Sequence, residues 1–229
     1  MSRIPLLLGG LASLALAIFL VYRRTDKQPT RTTPKGSLDR DLRDLLSIIP
    51  IRELRAVIRE CAKSDKQIAD TIAFFTDQCR FIIPELSRIT HVRLFIFILE
   101  ELGLDIDSWL YTIQNFWKSL PKYEGDHNCC VATGCGGLTG MISRMVRLLP
   151  RAELHTMMCK KARGESKSFE TLMLALRSQE FHDLCNEVQK SVVLQRHFHW
   201  ARESGIEATF ALELLGDLYA YLTLEVARS

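Results

Sequence analysis

The chain has 229 residues, nearly half of them apolar and a quarter charged, with a net charge of +3. This composition excludes a disordered or fibrous chain and leaves room for one globular body with a sizeable core. The charge is uneven. Residues 1–36 hold six Lys/Arg against one Asp, whereas the remaining 193 hold 24 against 26 Asp/Glu, so the nearly neutral body has no basic face for nucleic acid.

In chain order, the first feature is an uncharged run of 19 residues, Ile4 to Tyr22, close to the roughly 20 that span a bilayer. Arg23, Arg24, Lys27, Arg31 and Lys35 follow it. Residues 1–24 are read as a single-pass transmembrane anchor whose basic flank would keep the body in the cytosol. The alternative is a secretory signal, with Arg3 before the apolar run and a small-residue site at Ala15-x-Ala17. Cleavage there would leave Ile18-Phe19-Leu20-Val21-Tyr22 on the mature chain. Residues 25–36, rich in Thr and Pro, read as a linker.

From Ser37 onward the apolar residues keep helical period. Leu42, Leu45, Leu46 and Ile49 form a stripe ended by Pro50, and Leu54, Val57, Ile58 and Cys61 form the next. Ser64-Asp65-Lys66-Gln67 resembles a capping box opening a third helix that turns Ile68, Ile72 and Phe75 inward. Pro84 should start or kink a separate segment over 79–89. Val92 to Leu99 is apolar but for Arg93, and Gly103 ends it. Trp109, Leu110, Ile113 and Phe116 complete a first copy, 37–120.

Residues 121–137 form a Gly-rich connector, after which 138–229 repeat the plan. Leu45-Leu46-Ser47-Ile48-Ile49-Pro50 returns 100 residues later as Met145-Val146-Arg147-Leu148-Leu149-Pro150. Glu100-Glu101-Leu102-Gly103-Leu104-Asp105 returns at an offset of 102 as Arg202-Glu203-Ser204-Gly205-Ile206-Glu207. A unit this long exceeds a solenoid repeat of roughly 20 to 50 residues. No run alternates with period two, so no sheet is expected. The fold class is all-α: two tandem copies of a bundle of about six short helices, preceded by an N-terminal hydrophobic helix.

Chemistry-bearing residues are sparse. The seven cysteines are odd in number and irregularly spaced, which argues against a disulfide framework, and no Asn-x-Ser/Thr acceptor occurs; both lean toward a reducing compartment. His127, Cys129, Cys130 and Cys135 fit a zinc site only loosely and read as free thiols in a loop. His155 with Cys159, and His182 with Cys185, share helix faces but need no metal. There is no Gly-x-Ser-x-Gly elbow, His-Glu-x-x-His motif or phosphate loop, so no enzymatic role and no cofactor are expected.

The order and spacing of these elements resemble the insect allergen-repeat family, which includes cockroach midgut allergens, microvillar gut proteins and nitrile-specifier proteins. Asp44-Leu45-Leu46-Ser47-Ile48-Ile49-Pro50 and Glu100-Glu101-Leu102-Gly103-Leu104-Asp105-Ile106 carry it in the first copy. Gly136-Gly137-Leu138-Thr139-Gly140, Leu148-Leu149-Pro150-Arg151-Ala152-Glu153-Leu154 and Arg177-Ser178-Gln179-Glu180-Phe181 carry it in the second. The resemblance implies a helical shell around an apolar cavity holding fatty acid or phospholipid chains in the insect gut. Applied to this chain, the first-copy wall would be Leu46, Val57, Ile58, Ile72, Phe75, Leu94, Phe97, Leu110 and Ile113. The second-copy wall would be Met145, Met158, Leu172, Leu176, Leu184, Phe198, Phe210 and Leu214. Cys79-Arg80 stands where the second copy has Glu180-Phe181, which displaces one aromatic to Phe81. Two other functions stand beside lipid binding: nitrile-specifier-like detoxification of glucosinolate products, and a solid helical module for protein interaction.

Overall fold

Apolar residues at intervals of three and four, interrupted at Pro50, Gly103, Pro150 and Gly205, divide the chain into short helices. The computed structural model describes residues 37–124 and 135–206, with Glu213 and Asp217. The apolar leader, the linker, His127, Cys129, Cys130, Phe210 and Leu214 lie outside the described residues. In the first half α1 is Ser37–Ile48, α2 Ile51–Ser64, α3 Lys66–Arg88, α4 Thr90–Glu101 and α5 Ile106–Lys118. In the second half α6 is Gly137–Leu148, α7 Arg151–Lys160, a π turn covers Lys161–Glu165, and α8 (Lys167–Arg177), α9 (Gln179–Lys190) and α10 (Val192–Glu203) follow. No strand occurs among the described residues.

Two local expectations need correction. The third helix is capped by Asp65, not Ser64, because the Asp65 carboxylate accepts from Ile68 N. Pro84 does not divide 79–89 from what precedes it; α3 runs through it. Buried Ile82 and Leu86 flank the proline and seat the last turns of α3 in the core, offsetting the one missing helical hydrogen bond.

Helix ends recur at the sequence offsets. Leu54 N bonds to Pro50 O and Leu154 N to Pro150 O, after matching bonds from Ile49 N to Leu46 O and from Leu149 N to Val146 O. Then the register slips by one. Asp65 N reaches Cys61 O, four residues back, whereas Ser166 N reaches Lys161 O, five back. The π turn, with Gly164 at φ 119°, absorbs the extra residue. A second residue enters where Ser178 separates α8 from α9. From there the offset is 102, and α4 and α10 match throughout: buried Val92, Phe95 and Leu99 correspond to Leu194, His197 and Ala201.

Packing across the halves is reciprocal. Helix α1 lies on α7 and α8 of the second half, while α6 lies on α2 and α3 of the first. Helices α4 and α10 each contact both α3 and α9. Glu85 of α3 accepts from Ser191 Oγ (2.6 Å), and its counterpart Glu187 of α9 lies 2.9 Å from His91 Nδ1. Among the described residues the apolar interior forms two clusters. The larger joins α1, α4 and the ends of α3 to α7–α10, with Leu38, Val92, Phe169, Phe181 and Leu184 at its centre. The smaller joins α2, α3 and α6 through Val57, Cys61, Ala62, Ile68 and Cys135.

Asp65 organises the smaller cluster. It is fully buried; one oxygen caps α3 through Ile68 N, and the other accepts from Cys135 N (3.2 Å) and Gly137 N (2.9 Å), fixing the start of α6. Gly137 is left-handed at φ 65°, and a Cβ there would meet the Gln67 side chain at 1.7 Å. Replacing Asp65 with Ala strips three backbone donors of their acceptor and should cost about 3 kcal/mol in urea unfolding. A loss below about 1 kcal/mol would show that α6 is held by other contacts.

Candidate functional site

Each exchanged helix is fastened to the opposite half by different chemistry. On α1, Asp41 and Asp44 face Lys161 at the end of α7. The Lys161 ammonium donates to Asp41 Oδ1 (2.8 Å) and Asp44 Oδ2 (2.7 Å), and Ser166 Oγ donates to Asp41 Oδ2. Lys161 and Asp41 are buried and Asp44 is half exposed. Burial lowers the affinity of Lys161 for its proton. The hydrogen bonds and charges of the two aspartates outweigh that, so its pKa lies above the ordinary value.

On α6 the position equivalent to Asp44 is Arg144, and the residue it approaches is Cys61, equivalent to Lys161. Cys61 forms a disulfide with Cys135, its Cα atoms 5.5 Å apart and 74 residues apart in sequence. This corrects the reading of Cys135 as a free loop thiol. The partner comes from a distant helix, which spacing along the chain does not show. Arg144 Nη1 lies 3.2 Å from Cys135 Sγ and 3.8 Å from Cys61 Sγ, and its guanidinium pairs through two nitrogens with Glu60. That pairing holds the Glu60 carboxyl below its usual range.

The expected wall residues divide by exposure. Leu46, Ile58, Ile72, Met145, Met158 and Leu176 are half-buried. Val57, Leu172 and Leu184 are covered within the two apolar clusters. Leu94, Phe97 and Phe198 are 54%, 58% and 48% exposed. The side chains of Phe75, Leu110 and Ile113, like all of Phe210 and Leu214, lie outside the description. Leu46, Leu54, Ile58 and Ile142 belong to neither cluster although each is half-buried.

Among polar groups, Cys159 Sγ lies 3.6 Å from His155 Nε2, and Cys185 is buried, its thiol pushed up to about 11 by desolvation. No group of three or more His, Cys, Asp or Glu among the described residues is placed to hold a metal. His197 occupies the place of Phe95. Phe95 packs on Phe181 at 5.1 Å, whereas His197 stacks on Phe81 at 6.0 Å and lies 6.3 Å from Trp200. Burial, with Arg196 nearby, holds its imidazole below the ordinary histidine range.

Residues 37–211, which include every described helix, match a family model described as insect allergen related repeat, nitrile-specifier detoxification. The chain belongs to the insect allergen related repeat family. Within it, the chain is similar to Protein G12 of Anopheles gambiae, with 21% identity over 187 residues that cover 81% of this chain and 88% of that protein. The matched residues include Lys161 and Cys61, around which the two exchanged helices are fastened.

Sequence reasoning passed over the seam residues because each is unremarkable alone. Asp41 and Lys161 are ordinary charges in the sequence until tertiary packing buries them, with Asp44 half exposed beside them. Lys161→Met leaves Asp41 buried without its counter-ion and should destabilise the fold by about 3–5 kcal/mol in urea, with Asp41→Leu in the same chain restoring most of the loss. A folded pKa raised above the unfolded value means that the lysine's stabilisation is complete below about pH 10.5 and fades as pH rises through the folded value. Alkaline melts of wild type should therefore show a fall that Lys161→Met lacks. Cys61→Ser reopens a 74-residue loop. Chain entropy alone sets that cost at about 4 kcal/mol, which oxidised and reduced denaturation curves would measure.

Proposed function

We propose that the chain binds fatty acid or phospholipid chains in an apolar cavity enclosed between two helical copies. The observation that carries this reading is a set of half-buried apolar side chains: among the described residues, Leu46, Leu54, Ile58 and Ile142 lie outside both apolar clusters. Such residues suit the wall of a space filled by a guest. Met145 and Met158, also half-buried, adapt to guests of varied shape. A tail of about 16 carbons buried at ~0.8 kcal/mol per methylene gains on the order of 10 kcal/mol before the costs of association. That suffices for about micromolar binding without a specific polar contact.

A second reading comes from the family description itself, which names nitrile-specifier detoxification. It would appear as altered products when a glucosinolate and a thioglucosidase are supplied. For location, a buried disulfide favours an oxidising compartment. The secreted alternative for the body is therefore preferred to a cytosolic one. No helix among the described residues is long and apolar enough to cross a membrane, and Ile4–Tyr22 is the run proposed as an anchor.

Native mass spectrometry of the purified chain, followed by organic extraction, should find about one or more lipid molecules per chain. Leu46→Gln and Ile58→Gln should each lower that load by about threefold or more, while the exposed Arg52→Gln leaves it unchanged. A chain that arrives empty and stays empty when offered oleate would favour the solid interaction module.

A further inference from the structure

Helices α3 and α10 cross in opposite directions. Ser191 Oγ, capping the start of α10, donates to Glu85 of α3; His197 stacks on Phe81; and Gln67 Nε2 donates to Gly205 O just past the end of α10 (2.7 Å). Gln78 lies one turn before Phe81, between Phe81 and Gln67, and so on the Trp200 side of His197. Each helix thus brings one polar side chain and one aromatic ring to the crossing. The rings of Phe81 and Trp200 stay half open, 48% and 52% exposed.

The two polar side chains are unsatisfied. His197 is more than nine-tenths buried, and its Nδ1 has no hydrogen-bond partner among the described residues. Gln78 Oε1 is buried and equally without one. Such atoms lose their water and gain nothing in return. The fold does not demand that loss: in place of His197 the first half has Phe95, packed on Phe181 with no polar atom to satisfy. Burial and Arg196 hold the His197 imidazole below the ordinary histidine range, so at neutral pH one ring nitrogen donates and the other accepts. The Gln78 amide offers the same two roles. An uncharged hydroxyl, which both donates and accepts, suits this pair. A carboxylate only accepts, and it would bring a charge to a place where burial already suppresses one. Water would meet the polar atoms but would leave the two rings uncovered.

We propose that the crossing of α3 and α10 binds the hydroxyl head of a neutral amphiphile, such as a long-chain alcohol. His197 and Gln78 meet the hydroxyl, and Phe81 and Trp200 cover the first carbons of its chain. The site goes beyond the cavity between the two copies and stands whether or not that cavity holds a guest.

The test titrates the full chain with 1-decanol and with decyl methyl ether, which has the same chain but no proton to donate. Affinity is read by calorimetry, and the ring-nitrogen resonances of histidine are followed by NMR. Wild type should bind the alcohol at least about fivefold more tightly than the ether. The His197 resonances, identified by their loss in His197→Phe, should move with the alcohol and not with the ether. His197→Phe installs the residue that α4 carries, so helix content and melting should hold while the two probes come within about twofold of each other. Should that variant not fold, Gln78→Leu is read in its place by the same comparison. Equal affinity for the two probes in wild type overturns the proposal, as does a preference for the alcohol that survives the substitution. Imidazole resonances that neither probe moves also overturn it, and leave water as what meets both polar atoms.

Discussion

The constraint on which the rest of the structure depends is the reciprocal seating of α1 and α6. Neither half completes its own interior. Leu38 and Leu45 of α1 enter the cluster built by α7, α8 and α9, while Leu138, Met141 and Met145 of α6 close the cluster built by α2 and α3. Side-by-side bundles could part along their interface. Interlocked ones cannot part without removing a helix from each core. The shared contacts of α4 and α10 with α3 and α9 extend the same logic to the other end of the molecule.

Such interlocking needs a fastening on each side, and the chain solves one geometric problem with two chemistries. Around Lys161 the solution is ionic, two aspartates from one helix meeting one buried ammonium. Around Cys61 it is covalent, with Arg144 bridging the sulfurs to Glu60. Asp44 and Arg144, which occupy matching places on α1 and α6, carry opposite charges and take different partners. Helix order and helix ends are alike in the two halves while the contacts that hold α1 and α6 differ.

Much of the helical plan was legible because proline, glycine and apolar period act locally. Pro50 and Pro150 end stripes whose helices do end there, and Gly103 and Gly205 adopt the left-handed conformation after α4 and α10. What stayed hidden was non-local. The order of residues along the chain does not reveal that α1 lies on the second half. Nor does it reveal that Cys61 meets a cysteine beyond the connector, or that Asp65 serves two helix starts at once. The changes of offset from 100 to 102 were visible, but their cause, a π turn and one residue between α8 and α9, required the backbone. The site was less legible than the fold, since apolar character alone does not separate a residue that packs the core, as Leu184 does, from one left at the surface, as Phe97 is.

The position of the disulfide has a consequence for proteolysis of the chain. Cys61 lies before the connector and Cys135 at its far end. A single cut anywhere between Glu124 and Cys135 therefore divides the polypeptide without releasing either piece. The fragments remain covalently joined, and each still holds a helix that the other needs for its interior. The nicked form would differ from the intact one by a single added water and would separate into two fragments only when the disulfide is reduced.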